Sequence, residues 1–366
     1  MIPAPLIDLA SEQLQSVNGM KNSKIVILLA SEVMYFQRPH TDIKDEARIV
    51  ESFIPEASFP PKLGFIELPY SQGPSFFTNL AIYHEIGHFV YEEISHTNSN
   101  QSIADLQSAQ DQCLQTVFQK RWKKDPEALA LAARIIENWT QEIFCDLFAI
   151  RLVGPAFSFA LIEILGMLGF LSEKETVKFH PSHPSSACRF AEHVNMLRDD
   201  SWWDAIADVK ANQKRILEDL AKLPRSKYRL YVDDKTTGPQ GLITAFLDVV
   251  VPAIRKLVKS LTPDSHLAVK RFSSSRSNIQ ECLHAGVVPL TTPTSPDPVS
   301  IINAAFCLYL TSLPEIINRF EGDKARQNVE VHSWWTKRVE MWTMKAVEDS
   351  QIHRRFESTR ALYDPL

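Results

Sequence analysis

Residues 75–91 read SFFTNLAIYHEIGHFVY, and the placement of charge in that run decides how the chain is read. Glu85 is its one formally charged side chain, set among Phe76, Phe77, Leu80, Ile82, Ile86, Phe89 and Val90. A helix that is apolar on nearly all sides belongs in a core. Ser75 follows the turn Ser71-Gln72-Gly73-Pro74 and suits the N-cap of a helix running to about Glu93. A carboxylate buried among hydrocarbon is costly unless a cation or donors meet it. His84 and His88 share one helix face, a turn apart, with Glu85 at the edge of that face.

His84-Glu85-Ile86-Gly87-His88 is therefore an HExxH arrangement, in which both imidazoles can reach one zinc ion. Glu85 is then placed to take a proton from a water that the metal acidifies. A catalytic zinc keeps three protein ligands and one open position. The next turn does not supply the third ligand, because Tyr91 and Ile94 stand where HExxHxxGxxH needs Gly and His. His96 is out of phase, and Glu92 lies a further turn along.

The stretch WTQEIFCD, residues 139–146, offers better candidates. On a helix, Ile135, Trp139, Glu142, Asp146, Ala149 and Val153 form one stripe, apolar except for two carboxylates in its middle. Two adjacent buried acids need cations or donors. Zinc on Glu142 and an imidazole N–H on Asp146 would meet both needs, with Asp146 orienting a ligand histidine. Carboxylates facing solvent at the end of a groove are the alternative. Glu137 faces away from the stripe and is the weaker candidate.

A third segment, HPSHPSSACR at residues 180–189, precedes a helix and places Arg189 six residues after His183. HExxH, then ExxxD on a helix, then His-Pro with Arg six residues on resembles the gluzincin zinc metallopeptidases of the CAAX-prenyl-protease and heat-shock membrane-protease type. The resemblance covers about residues 60–200. It implies His84, His88 and Glu142 as zinc ligands, Glu85 as general base and Asp146 as the acid behind a ligand. It further implies that His183 stabilises the oxyanion and that Arg189 supports the site or the substrate backbone. His180 is an alternative register for His183. The best-known members of that family span membranes, and this sequence has no convincing span. Leu152–Leu171 comes nearest, but Glu163 and Pro155 make it a buried core helix.

Outward from these motifs, Lys24–Leu29 and Lys62–Pro69 read as short strands, the second offering an edge to which an extended peptide could add. Helices are predicted near 102–123, 126–152, 155–171, 185–198, 202–223, 241–261, 299–321 and 329–356. The Ser/Thr/Pro-rich stretch Ser273–Pro298 reads as a loop. The fold class is α+β and predominantly helical: a zincin-type core with a small sheet over 1–225, and a helical accessory region over 240–366.

A net charge of -5 gives no reason to expect nucleic acid as a partner. The basic stretch Arg255–Arg276 is a solvated helix face. Cys113, Cys145, Cys188, Cys282 and Cys307 form no CxxC pair, so they suit a reducing compartment, and no signal peptide opens the chain. Cys145 and Cys188 read as small packing residues. Together these features lead us to expect a cytoplasmic zinc metallopeptidase acting on a protein or peptide. The competing expectation is a zinc-stabilised sensor or scaffold whose helical C-terminal half binds a partner. In that half Trp334, Trp335 and Trp342 recur at helical spacing as core.

Overall fold

The apolar run around His84 needs cover on every side, and a computed structural model of the chain shows what supplies it. The structure describes residues 3–30, 36–37, 62–69, 75–96, 101–118, 126–172, 180–223, 240–289, 296–318 and 324–363. Over these the chain is predominantly helical, with one small sheet. Helix α1 (Ala4–Ser16) is followed by strands β1 (Lys24–Ala30), β2 (Phe36–Gln37) and β3 (Leu63–Pro69). β1 runs parallel to β3, with Lys24 opposite Leu63 and Ala30 opposite Pro69. β2 lies antiparallel on the other side of β3, Phe36 opposite Glu67 and Gln37 opposite Ile66. Both expected strands form, but β3 is central, so the free edge expected for an added peptide is already paired at Ile66 and Glu67.

Ser75 Oγ accepts the Thr78 N–H at 3.3 Å, but the N-cap of the 3-10 turn Thr78–Ala81 is Phe77, so Ser75, the expected cap, stands two residues ahead of it. That turn leads straight into α2 (Ile82–Ser95). Next come α3 (Gln101–Phe118), α4 (Pro126–Val153) and α5 (Pro155–Met167). α2 packs along α4, and Gly87 sets how closely they approach. A Cβ at that position would lie 2.8 Å from the Cα of Cys145. Gly154, at φ 73°, turns the chain from α4 into α5, a conformation that only glycine adopts without strain. α5 is buried along most of its length, as a core helix should be. No helix among the described residues is long and apolar enough to cross a membrane.

Ser185 caps α6 (Ser186–Asp199) by accepting the N–H of Cys188. The single helix expected over 202–223 is instead two, α7 (Trp202–Ala205) and α8 (Asn212–Ala221). Between them Val209 is buried, Ala211 is extended, and Lys214 Nζ donates to the Ala207 carbonyl at 2.8 Å. α9 (Gln240–Ala245) passes through a π turn, Phe246–Val250, into α10 (Val251–Leu261). Pro252 has no N–H to donate, which accounts for the widened turn just before it.

The predicted loop over Ser273–Pro298 is corrected: α11 (Ser265–Ala285) runs through its first half. Ser274 and Ser275 return their hydroxyls to the Arg271 carbonyl at 2.9 and 2.7 Å, so the serine run does not compete with the helix. Val269, Phe272, Ile279 and Leu283 give α11 a buried stripe. α12 (Pro298–Asn318) and α13 (Lys324–Tyr363) complete the chain. The basic stretch is paired rather than merely solvated: Arg255 bonds Glu192, Lys256 reaches Asp105 at 2.6 Å, and Arg276 reaches Asp208 at 2.6 Å. Trp335 is core, but Trp334 is exposed under the Arg338 guanidinium.

One hydrophobic cluster extends from Leu6 to Val347. α10 packs on α3 and α4, α12 on α5, and the Phe246 ring meets Trp139 edge-on at 5.5 Å. The junction expected between 1–225 and 240–366 lies outside the described residues, 224–239 being among those omitted. Helices from both sides of it contribute to the same core.

Candidate metal centre

α2 carries His84 and His88 a turn apart, and their Nε2 atoms face each other at 3.1 Å. His84 Nδ1 lies 2.9 Å from Asp146 Oδ1. A carboxylate accepts only, so Nδ1 carries a hydrogen, and in the neutral ring Nε2 is the nitrogen that could bind a metal. Across from α2, α4 presents Glu142. One carboxylate oxygen, Oε2, lies 3.4 Å from His84 Nε2, and the other, Oε1, lies 3.5 Å from His88 Nε2. Glu142 Oε2 is buried, has no hydrogen-bond partner among the described residues, and stands 3.7 Å from Arg189 Nη1.

These separations match what a metal would require. With zinc–nitrogen and zinc–oxygen bonds of about 2.0–2.2 Å, tetrahedral donors stand about 3.3–3.5 Å apart. The two imidazole nitrogens, 3.1 Å apart, and the two oxygens of Glu142, one 3.4 Å from His84 and the other 3.5 Å from His88, are therefore spaced to hold a metal ion such as zinc. Cys145 also lies near, its Sγ within 4.8 Å of the imidazole nitrogens of both histidines. Burial first, and then the Glu142, Glu85 and Asp146 carboxylates, push that thiol well above its ordinary pKa. A bound cation would deprotonate a coordinating thiol, so Cys145 and Glu142 both stand as third donors beside the two histidines. Burial raises the pKa of Glu142, but the imidazoles and Arg189 outweigh it and hold the carboxyl down at about 2.

Asp146 is the hub behind the site and is fully buried. Arg189 grips it with two hydrogen bonds, Nε to Oδ2 and Nη2 to Oδ1, both 2.7 Å. His193 Nε2 stands 3.1 Å from Oδ2, and Ser158 Oγ lies 3.0 Å from His193 Nδ1. Burial alone would raise the Asp146 pKa, yet these cationic and donor groups hold it well below the carboxylate range. The two imidazoles differ sharply. Burial lowers both, but the bonds to Asp146 and Glu142 bring His84 up to about 10, whereas His88 falls to about 4. Glu85 is raised to about 7, chiefly by burial, with the His84 charge opposing.

His183 Nε2 lies 3.4 Å from Glu142 Oε1, and its side chain is 45% exposed, so it stands at the open side of the cluster. His180 does not take that place. Its Nδ1 is bonded to Ser182, and its carbonyl accepts from Trp139 Nε1 at 3.0 Å. Glu137 is engaged elsewhere, by Tyr91 Oη at 3.0 Å and Gln110 Nε2 at 2.9 Å. α2 ends before His96.

The structure thus gathers His84, His88, Glu142, Asp146, Arg189 and His183 from three separated stretches. Sequence reasoning missed His193 and Ser158. The one signal for His193 was its place a helical turn after Arg189. The comparisons with protein-family models, with curated proteins and with solved structures each return no match to this chain.

Proposed function

We propose that the chain is a zinc-dependent hydrolase, a gluzincin-type metallopeptidase that cleaves a peptide or protein substrate in the cytoplasm. The observation that carries this reading is that Glu142, buried on α4, sets Oε2 3.4 Å from His84 Nε2 and Oε1 3.5 Å from His88 Nε2, on an HExxH helix. His84, His88 and Glu142 would hold the metal. Bound zinc would supply Lewis acidity, making a water more acidic and polarising the substrate carbonyl.

The remaining chemistry belongs to the chain. Glu85 accepts the proton of the attacking water and returns it to the leaving amine. Asp146 fixes the His84 ring through Nδ1, and Arg189 fixes Asp146, which makes Arg189 a positioning residue. His183 occupies the exposed side, where negative charge on the carbonyl oxygen would develop.

Cys145 favours a second reading, a closed structural centre of two imidazoles, a thiolate and a carboxylate in a sensor or scaffold. Zinc content and peptide cleavage, measured on the wild type and on Glu85→Gln, separate the two. A hydrolase keeps its zinc but loses cleavage in Glu85→Gln. A structural centre holds zinc in both proteins and cleaves in neither. Failure of the wild type to bind any divalent metal would sink both readings.

A further inference from the structure

Helix α13 carries apolar side chains on two opposite faces. The inner face buries Trp335, Val339, Ala346 and Val347, where the helix packs on α12 and α1. On the outer face Trp334, Met341, Ile352 and Phe356 stand between 52% and 62% exposed. At about 100° per residue these four fall within about 40° of one line along the helix. Arg338, Lys345 and Glu348 fall on the same line. The stripe is about 33 Å long, and large apolar side chains gathered in such a row mark a surface that meets a partner.

The spacing and the charges together select that partner. Trp334, Arg338, Met341, Lys345, Glu348 and Ile352 follow one another at alternating intervals of four and three, the repeat of a seam between two helices. Arg338 and Lys345 rest over the Trp334 and Trp342 rings, and neither they nor Glu348 have an ion-pair partner among the described residues. A parallel second copy would set Arg338, Lys345 and Glu348 each against its own like, which repulsion disfavours. An antiparallel copy, turned about a two-fold axis passing between residues 346 and 347, sets unlike charges together. Lys345 then lies opposite Glu348 of the second copy, and Met341 opposite its Ile352, each pair occurring twice.

We propose that the outer face of α13 pairs antiparallel with the same face of a second copy, making the chain a homodimer. Arg338 approaches Phe356 of the second copy, a cation over a ring. Arg355, the cation that would otherwise oppose Arg338 there, is held on α1 by Asp8 and Glu12, each at 3.2 Å. The seam is polar at its centre and apolar on either side, so charge sets its register while burial of methionine and isoleucine stabilises it. The pairing does not depend on the metal-centre reading.

Sedimentation velocity of the full chain over a concentration series tests it. The wild type should pass from monomer to dimer as concentration rises. Lys345→Glu sets carboxylate against carboxylate twice, so the dimer dissociation constant should rise at least about tenfold. Adding Glu348→Lys to that variant exchanges the two charges and should restore the wild-type value. Met341→Ser should weaken the dimer without reference to charge. Lys345, Glu348 and Met341 are all exposed, so the monomers should melt as the wild type does, which separates lost pairing from lost folding. A chain that stays monomeric at every concentration overturns the proposal, and so does a dimer that Lys345→Glu and Met341→Ser leave intact. A double variant that pairs no better than Lys345→Glu alone overturns the antiparallel arrangement.

Discussion

Glu142 and Glu85 are both buried carboxylates close to the same two imidazoles, yet substitution should separate them. Glu142→Ala deletes a ligand, so dialysed protein should lose its zinc, read by elemental analysis, together with its activity. Glu85→Gln keeps the ligands and loses the base, so zinc stays while cleavage falls about 10²–10⁴-fold. Zinc retained in Glu142→Ala would remove that residue from the ligand set. Asp146→Ala frees the His84 ring and takes both carboxylate hydrogen bonds from Arg189, leaving it only Glu142 Oε2 at 3.7 Å, so zinc affinity in a chelator competition should fall about 10–100-fold. Most of this constellation is legible in the chain because helical spacing puts buried charge beside buried charge: Glu85 between two histidines, and Glu142 with Asp146 on an apolar stripe. His193 and Ser158 are not legible. Each is an ordinary residue of a buried helix face, and only the approach of α5 to α6 joins them to Asp146.

Between elements, Gly87 is the residue that lets α2 and α4 cross closely enough to bring Glu142 up to His84 and His88. Alanine there would set a Cβ 2.8 Å from the Cα of Cys145, backbone that cannot yield as a side chain can. Gly87→Ala should cost about 1–3 kcal/mol by overpacking and should weaken zinc binding as the helices part. A melting temperature and a zinc affinity both unchanged would mean that the crossing is looser than described. Elements with strong apolar periodicity were readable from the chain: α4 appears at 126–153 against an expected 126–152, and α6 at 186–199 against 185–198. α11 was not, because its serines look like loop residues until their hydroxyls are seen returning to the Arg271 carbonyl. The break between α7 and α8 was equally hidden, since buried Val209 fits a helix or a turn and only its packing decides.

Across the whole molecule, the shared core makes a definite claim about truncation. A chain ending at Leu223 loses Phe246 from against Trp139 and α12 from against α5, so it should show no cooperative unfolding transition. A fragment 1–223 that melts cooperatively and binds zinc would instead support the two-domain division expected from the sequence. Glu163 gives the molecule a pH dependence that does not involve the metal. Burial raises its pKa from 4.5 to about 7, with Glu340 adding and the Tyr309 and Gln213 hydrogen bonds opposing. The fold therefore prefers the protonated acid, and stability declines as pH rises from about 4.5 to about 7, then levels off. Glu163→Gln should exceed the wild type by about 1–3 kcal/mol at pH 8 and match it below the unfolded pKa. Urea midpoints at the two ends of that range check the sign, and a variant less stable at pH 8 would refute it.

α1 is made before α13, yet the two pack together, with Arg354 and Arg355 reaching Glu12 and Asp8 at 3.0 and 3.2 Å. Leu6, Leu9 and Leu14 on α1 are buried. Until α13 has been synthesised, the surface of α1 on which it packs stays uncovered, open to a holding chaperone. A nascent chain that has delivered only its early helices therefore still lacks one wall of its own core.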